Sequence, residues 1–116
     1  MLERDYTLYL QDIIDAIDAI GSYINGLDYE QFIENPMVVD AVLRRLEVIG
    51  EAAKAIPPEI RKKNPDIPWT KIVGLRNIVI HRYFGIDEEN IWEIVTVNIV
   101  QLKQQIIELI NMLLAI

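Results

Sequence analysis

The chain has no cysteine, so disulfides and thiolate metal sites are excluded and a reducing compartment fits. It has one histidine, His81, which is few for acid–base chemistry within a single chain. Long apolar runs are also lacking. The longest, Ile106 to Ile116, is interrupted by Glu108 and Asn111 and is too short to span a bilayer, so no membrane association is expected. The start, Met1-Leu2-Glu3-Arg4-Asp5, is charged and lacks the apolar core of a signal peptide, and a cytoplasmic location is expected. Basic residues are in deficit: 11 Lys and Arg against 18 Asp and Glu, a net charge of −7. Such a surface does not hold nucleic acid non-specifically, so any nucleic-acid chemistry needs a local basic pocket and a narrow substrate choice. There is no glycine-rich phosphate loop and no His-Glu metal spacing. Asp12, Asp15 and Asp18 form a carboxylate run, but their helical spacing fits a wet face better than a metal site. No metal and no cofactor are expected.

What is present is apolar substance at helical period. The 116 residues suit one domain, 1–116, and the 52% apolar share argues against disorder. That share is high for a small monomer, and a surplus of this kind commonly ends in a subunit interface. Tyr6, Leu10, Ile13, Ile17, Ile20 and Ile24 make one stripe of a helix from about Arg4 to Asn25, stopped by Gly26. Asp28 caps a short helical turn over Tyr29 to Glu34. Asn35-Pro36 opens a long helix carrying Val39, Val42, Leu43, Leu46, Ile49, Ala53 and Ile56, ended by Pro57-Pro58. Pro58 to Pro68 reads as a loop with one helical turn. A fourth major helix is predicted from Pro68 to about Tyr83. The last, capped by Asp87, carries Ile91, Val95, Ile99, Leu102, Ile106, Leu109, Leu113 and Ile116. Long helices with short connections imply an all-α, antiparallel four- to five-helix up-and-down bundle.

Residues 69–83 repay a closer reading. At 100° per residue, Ile72, Leu75 and Val79 fall on one flank and Trp69, Val73 and Ile80 on the other. Arg76 and Tyr83 lie between the flanks, Asn77 and His81 form a polar ridge beside Gly74, and Ile78 lies beyond that ridge. A helix apolar around most of its circumference is buried on several sides. One side faces its own bundle, and an identical subunit is the simplest cover for the other, with Gly74 permitting close approach. From spacing alone the plain structural reading is favoured. His81 bonds a backbone carbonyl, Arg76 pairs with Glu47 or Glu51, and Tyr83 is a core-edge aromatic.

The pattern as a whole adds more. Arg76-x4-His81-x-Tyr83 is similar to the Arg-x4-His-x-Tyr motif of the HepT-like branch of the HEPN superfamily. Pro68-Trp69, Gly74-Leu75-Arg76-Asn77 and Tyr83-Phe84-Gly85-Ile86-Asp87 match its flanks, and Arg45-Leu46-Glu47-Val48-Ile49-Gly50-Glu51-Ala52-Ala53 resembles its long-helix pattern. The resemblance implies a HEPN-like bundle and a metal-independent ribonuclease, in which the 2′-OH of RNA attacks the neighbouring phosphate. His81 then suits proton transfer, with an ordinary pKa of about 6.5, and Arg76 suits the phosphorane charge. A symmetric homodimer brings two histidines together. Asn77 supports the site, either orienting His81 or donating to phosphate, or is simply a polar rim residue. Arg82, Lys71, Arg44 and Arg45 are candidate RNA contacts, though each by itself fits a solvated face. The resemblance further implies a toxin of a type VII-like toxin–antitoxin module. Its partner would be a minimal nucleotidyltransferase antitoxin that silences it by adding AMP to Tyr83. The rival reading is a non-catalytic helical dimer that binds and regulates such a nucleotidyltransferase. A ligand-binding bundle has only the apolar surplus behind it.

Overall fold

Asp5 starts the first helix. Its side chain accepts from the Thr7 backbone N–H and from the Thr7 hydroxyl, both at 2.9 Å, satisfying a donor that the first turn leaves without an intrahelical partner. The computed structural model describes residues 5–78 and 88–115. Within them the chain is helical and holds no strand. Helix α1 spans Tyr6–Ile24, and Gly26 turns the chain at φ 79°, the left-handed region open to glycine. Helix α2, Tyr29–Ile33, begins with a complete capping box. Asp28 accepts from the Gln31 N–H at 2.8 Å, and the Gln31 side chain accepts from the Asp28 N–H at 3.0 Å. Helix α3, Pro36–Lys54, has Asn35 as cap and Pro36 in its first turn.

The seven apolar residues read as the α3 stripe are all buried, and Leu10, Ile13, Ile17 and Ile20 of the α1 stripe are buried with them. The two helices lie against each other along this seam. Phe32 of α2 is sealed beneath, its ring 5.1 Å from that of Trp92. Among the described residues no polar or charged residue is buried, so the core is held by apolar burial and packing alone.

Beyond Ala55 the chain advances in shorter pieces. Helix α4, Pro58–Lys63, exceeds the single turn predicted there. Helix α5 spans Trp69–Gly74, with Pro68 at its N-cap and the Trp69 indole N–H donating to the Asn64 carbonyl at 3.0 Å. The helix predicted to run to Tyr83 is not uniform: at Leu75–Asn77 it tightens into a 3-10 turn, Ile78 is α-helical again, and residues 79–87 lie outside the described residues. Ile78, read as lying beyond the polar ridge, is buried.

The last helical stretch also departs from the simple reading. Helix α6, Glu88–Glu93, passes through a π-helical segment, Ile94–Asn98, into α7, Ile99–Leu114. The cap predicted for it, Asp87, lies outside the described residues. The Thr96 hydroxyl donates to the Trp92 carbonyl at 2.6 Å, as suits a widened turn. Ile91, Val95, Ile99, Leu102, Ile106 and Leu109 are nevertheless all buried. Val97, Val100, Met112 and Leu114 of the same stretch are exposed. No helix among the described residues is long and apolar enough to cross a membrane.

Candidate active site

The structure places Arg76 in the middle of the 3-10 turn, against α3. What lets it approach is Gly50. A methyl group on Gly50 would fall on the backbone nitrogen of Arg76 and only 3.0 Å from its Cα. Only a residue without a side chain allows the two backbones this close. The next residue on α3, Glu51, receives the side chain: Arg76 Nε lies 3.3 Å from Glu51 Oε1. Of the two carboxylates named from sequence, the partner is therefore Glu51. Glu47 instead pairs with Arg44 at 3.5 Å, three residues away on the same helix. Both members of the Arg76–Glu51 pair reach solvent, with side chains 31% and 57% exposed.

Asn77, next along the turn, is exposed. His81, Arg82 and Tyr83 lie outside the described residues. Gly74, expected to admit a partner subunit, has no atom of the other described residues within 4 Å of where a side chain would begin, its chain neighbours and own helix backbone aside. The glycine that serves close approach inside the chain is Gly50, which sequence reasoning missed. The available signal was a glycine in the interior of a long amphipathic helix, a position disfavoured by about 1 kcal/mol unless packing requires it.

The three candidate RNA-contacting residues that are described, Arg44, Arg45 and Lys71, are not gathered in one place. Arg44 lines a shallow depression of about 380 Å³ together with Glu51, Val48 and, from α1, Tyr9 and Asp12. It thus shares its surroundings with the carboxylate that holds Arg76. Arg45 is half-buried and turned to α1: its Nε donates to the Tyr23 hydroxyl at 3.2 Å, and its guanidinium lies 6.0 Å from the ring centre. Lys71 is exposed on the lip of a separate groove of about 420 Å³, between α5 and the π-helical segment, with Leu75, Asn90, Ile94 and Asn98. The two tryptophans are already engaged within the bundle, Trp69 by Asn64 and Trp92 by Phe32 and Tyr29. Among the described residues no group of three or more His, Asp or Glu could hold a metal ion.

The described residues form a helical bundle with Arg76 and Asn77 on a 3-10 turn, as the sequence resemblance to HEPN proteins implies for the fold. The family model described as ribonuclease HepT-like matches residues 13–109. The chain belongs to the HepT-like ribonuclease family. It is 42% identical over 106 residues to a Methanocaldococcus jannaschii protein named as a candidate RNase, covering 91% of this chain and 97% of that one. A second candidate RNase of the same organism is also 42% identical, over 96% of each chain. A Thermococcus cleftensis protein, by name a candidate ribonuclease HepT, is 37% identical, over 88% of this chain and 93% of that one. No solved structure matches the chain significantly.

Proposed function

We propose that this protein is a metal-independent endoribonuclease toxin of a type VII-like toxin–antitoxin system, active as a homodimer. The observation that carries the reading is the position of Arg76. It heads the Arg-x4-His-x-Tyr motif of a HepT-like ribonuclease, and it sits on a turn that brings its guanidinium to the surface. In the reaction, the 2′-OH of one ribose attacks the adjacent phosphorus. The 2′-oxygen–phosphorus bond forms, the bond to the 5′-oxygen breaks, and the products are a 2′,3′-cyclic phosphate and a 5′-hydroxyl. One proton leaves the 2′-OH and one must reach the departing 5′-oxygen. His81 from each of two subunits supplies a base and an acid for these transfers. Arg76 offsets the charge that builds on the equatorial phosphate oxygens, and Asn77 supports it. The net charge of −7 makes binding local to this cleft, in keeping with a narrow choice of RNA.

The antitoxin in this reading is a minimal nucleotidyltransferase that adds AMP to Tyr83. The bulky phosphate then competes with RNA for Arg76 and Arg82, and the base blocks the cleft. The test is incubation of purified protein with total RNA. Cleavage is expected to survive EDTA and to fall about 10²–10⁴-fold in Arg76→Ala and His81→Ala, each checked for folding by circular dichroism. Parental rates in both variants would remove the catalytic assignment, and loss of cleavage with EDTA would remove the mechanism. Mass spectrometry after co-expression with the neighbouring nucleotidyltransferase should find AMP on Tyr83. A neutralised but unmodified protein points to inhibition by complex formation. The Arg76–Glu51 pair also favours a second reading, a non-catalytic dimer that regulates the nucleotidyltransferase, with Arg76 purely structural. Toxicity on expression alone, lost in His81→Ala, belongs only to the first.

A further inference from the structure

We infer that Glu51 is a positioning residue for the proposed cleavage, holding the Arg76 guanidinium by an ion pair at the place where it would meet the RNA phosphate. The inference rests on the ribonuclease reading. Glu51 Oε1 lies 3.3 Å from Arg76 Nε. A carboxylate at that distance draws the guanidinium towards α3 and narrows the space it can sample.

The pair is not explained as a stability device. It joins elements 25 residues apart in sequence, yet its carboxylate is 57% exposed. Ion pairs with that much access to water contribute little to folding. What such a pair does change is freedom. An arginine side chain has several rotatable bonds, and a phosphate-binding group that must be ordered during the reaction is a poorer catalyst than one ordered beforehand. Gly50 and Glu51 act on the same residue at two levels. Gly50 sets how near the backbone of Arg76 comes to α3, and Glu51 sets where the side chain points from there. Glu47, one turn earlier on α3, is engaged with Arg44 and does not take this role.

The test is a double-mutant cycle on cleavage of a single-site RNA substrate, using the full chain with Glu51→Ala, Glu51→Gln, Arg76→Ala and the double variant. Glu51→Ala is expected to lose about 10- to 100-fold, mainly in kcat, as a misplaced catalytic group does. Its Tm should move by less than about 5 °C, as fits an exposed ion pair. Glu51→Gln, which keeps the size and a polar oxygen but loses the charge, should retain part of the rate. In the Arg76→Ala background, Glu51→Ala should cause no further loss, because Glu51 acts only through Arg76. Parental kcat in Glu51→Ala while Arg76→Ala is inactive overturns the inference and leaves the ribonuclease reading standing. So do losses that multiply in the double variant. Parental cleavage by Arg76→Ala instead removes Arg76 from the proposed mechanism, and the role of Glu51 falls with it.

Discussion

The two ends of the sequence are built differently. Up to Lys54 the chain forms two unbroken helices of 19 residues, joined through a short capped one. From Pro57 onward the described chain moves through helices of six and six residues, a 3-10 turn of three, then six α- and five π-helical residues before the 16-residue α7. The first region spends its residues on an apolar seam. The second carries nearly all the irregular backbone, and with it the motif that heads the candidate site. Regular helices are held by many equivalent apolar contacts, so no single position has to be in a special place. A group that must meet a phosphate does have to be, and a local change of helical pitch is one way to aim it.

The comparison can be broken most forcefully in the seam. Leu46→Ala, at a fully buried position, should cost about 2–5 kcal/mol in denaturant unfolding, with cleavage lost only as the fold is lost. An activity loss in fully folded protein would show that the seam does more than support. Next comes the junction between the regions. Gly50→Ala pushes a methyl group into the backbone of the 3-10 turn and should cost roughly 1–3 kcal/mol, with cleavage reduced further because Arg76 is displaced. Gly74→Ala is the control, on the same stretch but meeting nothing among the described residues and at helical φ of −60°. It should stabilise the isolated protomer by about 0.5–1 kcal/mol. If the proposed homodimer packs there, sedimentation will show weakened self-association, and unchanged association would move the interface elsewhere.

A smaller effect is expected at the caps of the first region. Asn35→Ala removes the acceptor for the Val38 N–H and should cost about 0.5–2 kcal/mol in thermal unfolding. The smallest concerns Asp5. The Thr7 backbone N–H, and after it the Thr7 hydroxyl, hold its carboxyl below the usual carboxylate pKa. A depressed carboxylate contributes its stabilisation above the unfolded pKa and loses it as pH falls through the folded one. Protection of the Thr7 amide from exchange should therefore be steady down to about pH 4 and decline below it. A decline already at neutral pH would mean that the cap does not hold the first turn.

The stripes of α1 and α3 could be read in advance because each apolar position answers to the same seam, at a period the backbone enforces. The π-helical segment was not read in advance, since the whole stretch was expected to be one plain helix. A β-branched run, Ile94-Val95-Thr96-Val97, which fits α-helical geometry poorly, lies within it. The 3-10 turn had no such signal. Leu75-Arg76-Asn77 suits an α-helix as well as a tighter one.

By itself, then, the sequence determined the helical class, the caps at Asp28 and Asn35, the apolar seam, and the motif that marks the family. All of these rest on local spacing or on residue identity. The tertiary structure decided which of two carboxylates meets Arg76, that Gly50 and not Gly74 is the close approach within the chain, and that Arg45 is taken up by Tyr23. Each of those depends on the rotation and distance of one helix against another. A shift of a single turn, about 5.4 Å along α3, would have brought Glu47 to Arg76 in place of Glu51.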